Sequence, residues 1–306
     1  MHSLIQTSES KYERQLPLPG IERRWFYKVA QYFEPDEHTR DIYPDKALLD
    51  ALRAKRVDLF SFIERSFLNR STHLELGFYG CTETIGLLRI QGFEAWLKSL
   101  PGRERTAIRK AERTLKTRLV NVDEEFIQSA FRIYNETPIR QCRRYTGFGM
   151  TLQDIRLKFS NLQTSKIIGT YFDNKLIGLM WVELGDQVAA MMSFISLISQ
   201  RNKNPNNALI AGVVKLCSEK GYHYLTYGNM GYNPGLDFFK KNNGFRRVAV
   251  SRYFVPLSSK GQLAIKLKLC QSIERSFSPT LTRALVPFYN SVNRALPTSP
   301  GNPVGA

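Results

Sequence analysis

Cysteine and histidine are scarce in this chain, four of each in 306 residues, and neither set is spaced for chemistry. Cys81, Cys142, Cys217 and Cys270 form no Cys-x-x-Cys pair, which argues against a zinc ribbon and a redox dithiol and fits a reducing compartment. His2, His38, His73 and His223 show no metal-ligand interval, and no metal is expected. There is no Gly-x-Ser-x-Gly elbow and no Walker loop, so nothing indicates a serine or cysteine hydrolase. The start, Met1-His2-Ser3-Leu4-Ile5-Gln6, lacks a basic region followed by an apolar core; no signal peptide is read and a cytoplasmic location is expected. Long apolar runs are missing too. The most apolar stretch, Ile177 to Ile198, is interrupted by Glu183, Gly185 and Asp186 and reads as buried sheet instead of a bilayer span.

Acidic residues are also in deficit. Lys and Arg number 44 against 27 Asp and Glu, a formal net charge of +17 that implies an anionic partner: a nucleotide-bearing donor, tRNA or an anionic membrane surface. With 42% hydrophobic residues the chain can bury one large core or two modest ones.

The richest stretch runs from residue 166 to 255. Lys166 to Phe172 is a strand by its β-branched and aromatic content, Asp173-Asn174 is a two-residue turn, and Leu176 to Leu184 is its hairpin partner. A third run, Gln187 to Ser199, completes a meander. An Asn-rich loop from Gln200 follows, then a helix over Ala208 to Cys217 with Asn204 as N-cap and Pro205 at its first position. Next come a strand from Tyr222 to Tyr227, a Gly-rich connection, a short helix from Leu236 to Asn243 and a last strand from Phe245 to Leu257. The order is βββ-α-β-α-β. A strand that feeds a polar loop and a helix N-terminus gathers unpaired N–H groups and the positive end of the helix dipole, a setting that suits phosphate but is also that of an ordinary capped helix.

This order resembles the GNAT acyltransferase superfamily and, more narrowly, its Fem-type branch of FemAB-like peptidoglycan aminoacyltransferases and related acetyltransferase domains. Two segments carry the narrower resemblance. Phe93 to Arg113 is similar to the branch's helix pair with Trp96, Leu97, Arg103 and Ile108-Arg109-Lys110-Ala111, and Phe239-Lys240-Lys241-Asn242-Asn243-Gly244-Phe245 is similar to its Phe-Lys-x-x-Phe-Gly element. The resemblance covers residues 90 to 257 and implies an α/β (α+β) fold with a mixed, splayed sheet flanked by helices. It also implies acyl transfer to an amine by direct attack, from acyl-CoA or from aminoacyl-tRNA. A non-catalytic module binding RNA or an acidic polymer through its basic surface is the alternative from another class.

Departures from the pattern matter. The family's Gln/Arg-x-x-Gly-x-Gly/Ala phosphate loop is here Arg201-Asn202-Lys203-Asn204-Pro205-Asn206, without glycine and with one N–H removed by Pro205. The family's Tyr on the last helix is replaced by Phe238, Phe239 and Lys240, which leaves Tyr227 or Tyr232 as candidate acids. Donor contacts are expected from Arg201, Asn202, Lys203, Asn204, Asn206, Asn207, Ala208, Asn229 and Lys240. Glu136 is the candidate base, though a surface charge at a helix end explains it at least as well, and Asp237 is a weaker one. After the Pro138 bend, Arg140, Arg143, Arg144 and Tyr145 are candidates for holding an anionic part of a substrate.

Residues 1 to 90 are expected to be an extension and reduced half-domain: an irregular arm to about 45, a helix from Lys46 to Lys55, and strands at Val57–Glu64, Leu74–Tyr79 and Thr84–Ile90 that complete the sheet. Residues 91 to 257 are the acyltransferase unit. Residues 258 to 296 read as short basic helical pieces that either pack on the domain or touch an anionic membrane, and 297 to 306 as a disordered end.

Overall fold

The computed structural model describes residues 18–32, 39, 42, 44–68, 78–140, 143–160, 162, 165–231 and 233–270. One sheet of ten strands organises them, in the order β1-β2-β3-β12-β4-β11-β10-β9-β8-β5. The strands are β1 (Gly20–Arg24), β2 (Tyr27–Gln31), β3 (Leu59–Glu64), β4 (Tyr79–Arg89), β5 (Lys116–Val120), β8 (Ser165–Phe172), β9 (Lys175–Leu184), β10 (Val188–Ser196), β11 (Tyr224–Asn229) and β12 (Arg246–Pro256). A separate two-residue pair, β6 (Ile139–Arg140) and β7 (Arg143–Arg144), forms the bend after Pro138.

The meander forms as the alternation and turn residues indicate. β8 and β9 are antiparallel around Asp173 and Asn174, both of which take positive φ as a tight two-residue turn requires. β9 and β10 are antiparallel with a bulge between Met191 and Ser193. β10 and β11 are parallel, but only three rungs join them: Val188 to Tyr224, Ala189 to Leu225 and Ala190 to Thr226. Beyond these the strands part, as the splay expected between the third run and the strand after the helix. β11 then shifts register on β4 between Thr226 and Asn229. Gly86 on β4 permits this, since a Cβ there would lie 3.2 Å from the Tyr227 carbonyl oxygen.

Two layers of helices cover the sheet. α1 (Lys46–Ala54) is capped by Asp45, whose side chain accepts from Leu48 N–H. α2 (Phe93–Ser99) and α3 (Gly102–Thr114) are the Trp96-containing pair, and with α6 (Pro205–Glu219) they bury the largest core, which includes Ile108, Met180, Met191, Leu209, Val213, Leu225 and Phe245. The other face holds α4 (Glu124–Tyr134) and α5 (Leu152–Lys158) over Phe126, Ile133, Phe159, Leu179 and Ile195. α7 (Pro234–Asn242) and α8 (Ser259–Lys266) follow β11 and β12. No described helix is long and apolar enough to cross a membrane.

Three expectations are corrected. The irregular arm contains a hairpin: β1 and β2 pair antiparallel through Gly20 to Gln31, and β2 runs parallel to β3. Its partner β3 lies about thirty residues on, so no local period reveals it. The strand expected at Thr84–Ile90 is longer and starts at Tyr79, because β12 pairs along it from Arg246 to Phe254. Asn204 stands at the N-cap position but in the left-handed region, φ 58°, and its side chain makes no cap bond; its carbonyl takes the Ala208 N–H instead. Most of the Leu74–Tyr79 strand candidate, and everything beyond Cys270, lies outside the described residues.

Candidate functional site

The splay ends in a loop. After Ser196, β10 passes into a 3-10 turn over Ile198–Lys203, and α6 starts at Pro205. The first-turn N–H groups of a helix have no intrahelical acceptors, so those after Pro205 and the positive end of α6 face the loop. Arg201 and Asn202 are exposed, and Lys203 is half-buried with its ammonium 4.1 Å from the centre of the Phe172 ring. The remaining Asn-rich residues are spent on holding the loop. Asn206 Oδ1 accepts from Ser196 Oγ at 2.7 Å, and Asn207 Nδ2 donates to Glu104 Oε2 on α3 at 2.9 Å. Ala208 is buried against Ala111, Leu115 and Ile177, with its N–H already bonded.

Glu136 reaches the same loop from below. Its Oε2 accepts the Ile198 N–H at 2.6 Å and Arg140 Nη2 at 3.2 Å; its Oε1 accepts the Ser199 N–H at 2.9 Å and the Ser199 hydroxyl at 2.8 Å. Four donors occupy the carboxylate's lone-pair directions. Burial works against its ionisation, yet the bonds from Ser199 and Ile198 and the Arg140 charge outweigh that and hold the carboxyl below its usual range. A carboxylate so engaged is a clamp on the loop and a poor proton acceptor near neutral pH. Arg140 extends the clamp, donating to Ser196 O at 2.8 Å and Ile133 O at 2.9 Å and lying over the Tyr145 ring at 5.1 Å. Arg144 is exposed, and the side chain of Arg143 lies outside the described residues, as does Tyr232.

On the α6 side, the mouth of the splay is aromatic. Phe194 of β10 meets Tyr227 of β11 edge-to-face with ring centroids 6.0 Å apart, and Phe239 of α7 stacks on Phe194 at 6.0 Å. Burial raises the Tyr227 phenol well above its ordinary value, so it stays protonated at any physiological pH. Lys240 is 1% exposed, and its ammonium donates to the carbonyls of Tyr227 at 2.6 Å and Asn229 at 2.8 Å while sitting 4.3 Å from the Tyr227 ring centre. These carbonyls lie where β11 leaves the regular ladder, and the ammonium satisfies them. Asp237, the weaker base candidate, is also committed, bonding the Gly231 N–H and Arg247.

Sequence reasoning missed a group on the opposite face. Tyr134 Oη lies 2.9 Å from Ser193 Oγ beside the β10 bulge, and burial raises the phenol to about 12. Lys158 Nζ sits 5.9 Å from both the Tyr134 and Trp181 ring centres, and burial lowers its pKa. The available signal was Ser193, a hydroxyl inside the apolar run Val188 to Ile195.

A twisted mixed sheet, a parallel pair that parts after three rungs and a helix N-terminus at the end of the gap are the geometry of one known fold. The fold is GNAT-like, of the Fem type. No family model and no curated protein sequence matches the chain. Solved structures do. FemX is 11% identical with a TM-score of 0.53, covering 81% of this chain and 85% of its own. The C-terminal domain of a putative lysylphosphatidylglycerol synthetase from Agrobacterium fabrum is 14% identical with a TM-score of 0.51, covering 80% and 82%. A tandem GNAT protein from the clavulanic acid biosynthesis pathway is 9% identical with a TM-score of 0.43, covering 69% and 68%. At these identities the likeness to FemX and to the synthetase domain is one of fold.

Proposed function

We propose that the chain is an acyltransferase that moves an acyl group from acyl-CoA to an amine. The observation that carries the reading is the parting of β10 and β11 after Ala190 and Thr226, with the loop and the α6 N-terminus at the open end. Such a gap frees strand N–H groups for a donor's amide arm and puts its phosphates at the helix dipole. Arg201 and Lys203 supply charge for those phosphates. The amine attacks the thioester carbonyl carbon, the C–N bond forms, and the C–S bond breaks as the intermediate collapses. Backbone N–H groups at the β10 bulge face the developing oxyanion. The proton on the attacking nitrogen passes through water to the departing sulfur, which leaves as the thiol, and Tyr227, kept protonated by burial, donates a hydrogen bond to that sulfur. The Tyr134 and Ser193 hydroxyls line the acceptor's side. Glu136, Arg140 and Lys240 hold the two strand ends in place without touching the reacting atoms. A cytoplasmic location fits this donor.

A second donor is favoured by one observation. α3 packs beside α6 and the loop and exposes Arg103, Arg109, Lys110 and Arg113, a basic ridge longer than CoA needs and suited to the backbone of an aminoacyl-tRNA. Thermal unfolding separates the donors. Acetyl-CoA at saturating concentration is expected to raise the melting temperature, since it binds the folded state alone. An unchanged midpoint, together with tRNA binding that falls steeply with salt, would move the assignment to aminoacyl-tRNA, or to a plain nucleic-acid module if no transfer accompanied binding.

Arg201→Ala tests the loop. The side chain is exposed and has no hydrogen-bond or ionic partner among the described residues, so folding should be unaffected. Donor affinity should fall by about 1–3 kcal/mol, the range for a lost charge-assisted hydrogen bond. Equal affinity measured by calorimetry would remove Arg201 from the donor site.

A further inference from the structure

The β1–β2 hairpin tip and α8 together form a surface that the acyl-transfer reading does not use. Trp25 is 60% exposed at the turn, with φ 49°, and Phe26 beside it is 36% exposed. Tight turns favour small polar residues, and a bulky indole held outward in a left-handed conformation costs both backbone strain and solvation. α8 has the same anomaly in helical form. Its inner side, Gly261 and Ala264, is buried, while Leu263 and Leu267, one turn apart, are 46% and 54% exposed.

The two elements are tied together. Tyr27, which follows the tip, donates its hydroxyl to the Leu269 carbonyl at 2.9 Å, and Tyr27, Ala264 and Cys270 share one buried cluster. The Phe26 ring lies 5.5 Å from that of Tyr27, so the tip adjoins the C-terminal end of α8. The exposed charges of α8 are of one sign, and Asp58 beside its start is engaged by the Lys28 N–H and the Ser258 hydroxyl. Lys260, Lys266 and Lys268 are exposed, and Arg24, paired with Tyr27 in the hairpin, stands on the face that packs on α8. Glu22 is taken up by Arg24 at 3.0 Å, and residues 259–270 contain no Asp or Glu.

We infer that the hairpin tip and the outward ridge of α8 seat the protein on an anionic lipid bilayer. Tryptophan belongs at the headgroup level, where its ring is half in hydrocarbon and its N–H stays wet. Leucines on a lysine-flanked helix enter the acyl boundary while the ammonium groups meet lipid phosphates. The alternatives fit less well. RNA gives the leucines nothing to bury against, and charge alone leaves the outward indole unexplained. The net charge of +17 adds attraction toward an anionic surface without fixing orientation; the tip and α8 fix it. The inference is independent of acyl transfer. Membrane contact, expected of residues 258 to 296, of which 271 to 296 lie outside the described residues, thereby extends to the hairpin tip.

The test uses the full chain with vesicles of phosphatidylcholine alone and of phosphatidylcholine with phosphatidylglycerol. The protein should sediment with the mixed vesicles and little with the neutral ones, and its tryptophan emission should move to the blue. Trp96 is 4% exposed and Trp181 of β9 is half-buried against Phe159, away from the hairpin, so both report little of this, whereas Trp25→Phe should remove most of the shift. The triple variant Trp25→Ser, Leu263→Gln, Leu267→Gln changes exposed residues alone and should lower partitioning by about tenfold or more. Absence of sedimentation with anionic vesicles would overturn the inference. So would equal partitioning of the triple variant, which would assign any attraction to net charge, or an unshifted emission on binding, which would place the contact elsewhere.

Discussion

Lys240→Met is expected to cost about 2–5 kcal/mol of folding stability, with transfer activity lost as well. The methionine keeps the volume but leaves the carbonyls of Tyr227 and Asn229 without their donor, and a buried acceptor so stranded costs about 1–3 kcal/mol. The ammonium's contact with the Tyr227 ring is lost too. Urea unfolding should show a lower midpoint with an unchanged slope, because the loss is local. Lys241→Met next to it is the control: exposed, it should move stability by no more than about 0.5 kcal/mol. A change below about 1 kcal/mol for Lys240→Met would mean that water replaces the ammonium, and the lysine would not then set the course of β11. Activity adds a second readout. With the end of β11 released, Tyr227 loses its fixed position, and kcat should fall more than donor affinity.

Glu136→Gln is expected to act on the donor site in the opposite sense. The amide presents an NH2 group to a place where the Ile198 and Ser199 N–H groups need an acceptor, and it leaves the Arg140 guanidinium without its counter-charge. We expect donor affinity to fall as the loop loses its fixed course and stability to drop by about 1–3 kcal/mol. A general base would behave otherwise: turnover would drop by about 10²–10⁴-fold with donor affinity intact, and that pattern would return the proton to Glu136. The pH dependence gives an independent check. The folded carboxyl titrates below its ordinary value, so its contribution to stability is complete above the unfolded pKa and is lost as pH falls through the folded one. Wild-type protein should therefore lose stability on acidification through that window more steeply than the Gln variant.

Much of the fold was legible because its cues are local. The alternation in Lys166–Phe172, the Asp173-Asn174 turn and Pro205 at a helix start depend on neighbours a few residues away, and each element stands within two or three residues of its expected place. Cues that depend on distant partners were not legible. The β1–β2 hairpin needs β3, and the extension of β4 back to Tyr79 needs β12. The candidate site divides in the same way. The loop after β10 was readable as a polar run before a helix, but nothing local says that Asn206 and Asn207 would be spent on Ser196 and Glu104.

The sequence by itself determined the order of elements, the excess of positive charge and the place of the loop, because hydrophobic period, turn chemistry and composition are properties of the chain before it folds. The tertiary structure alone decided what the charged groups do. Glu136 meets Ile198 and Ser199 from more than sixty residues away, and Lys240 meets β11 from the following helix. A carboxylate's pKa and role follow from the donors around it, and those donors are assembled only when the sheet closes.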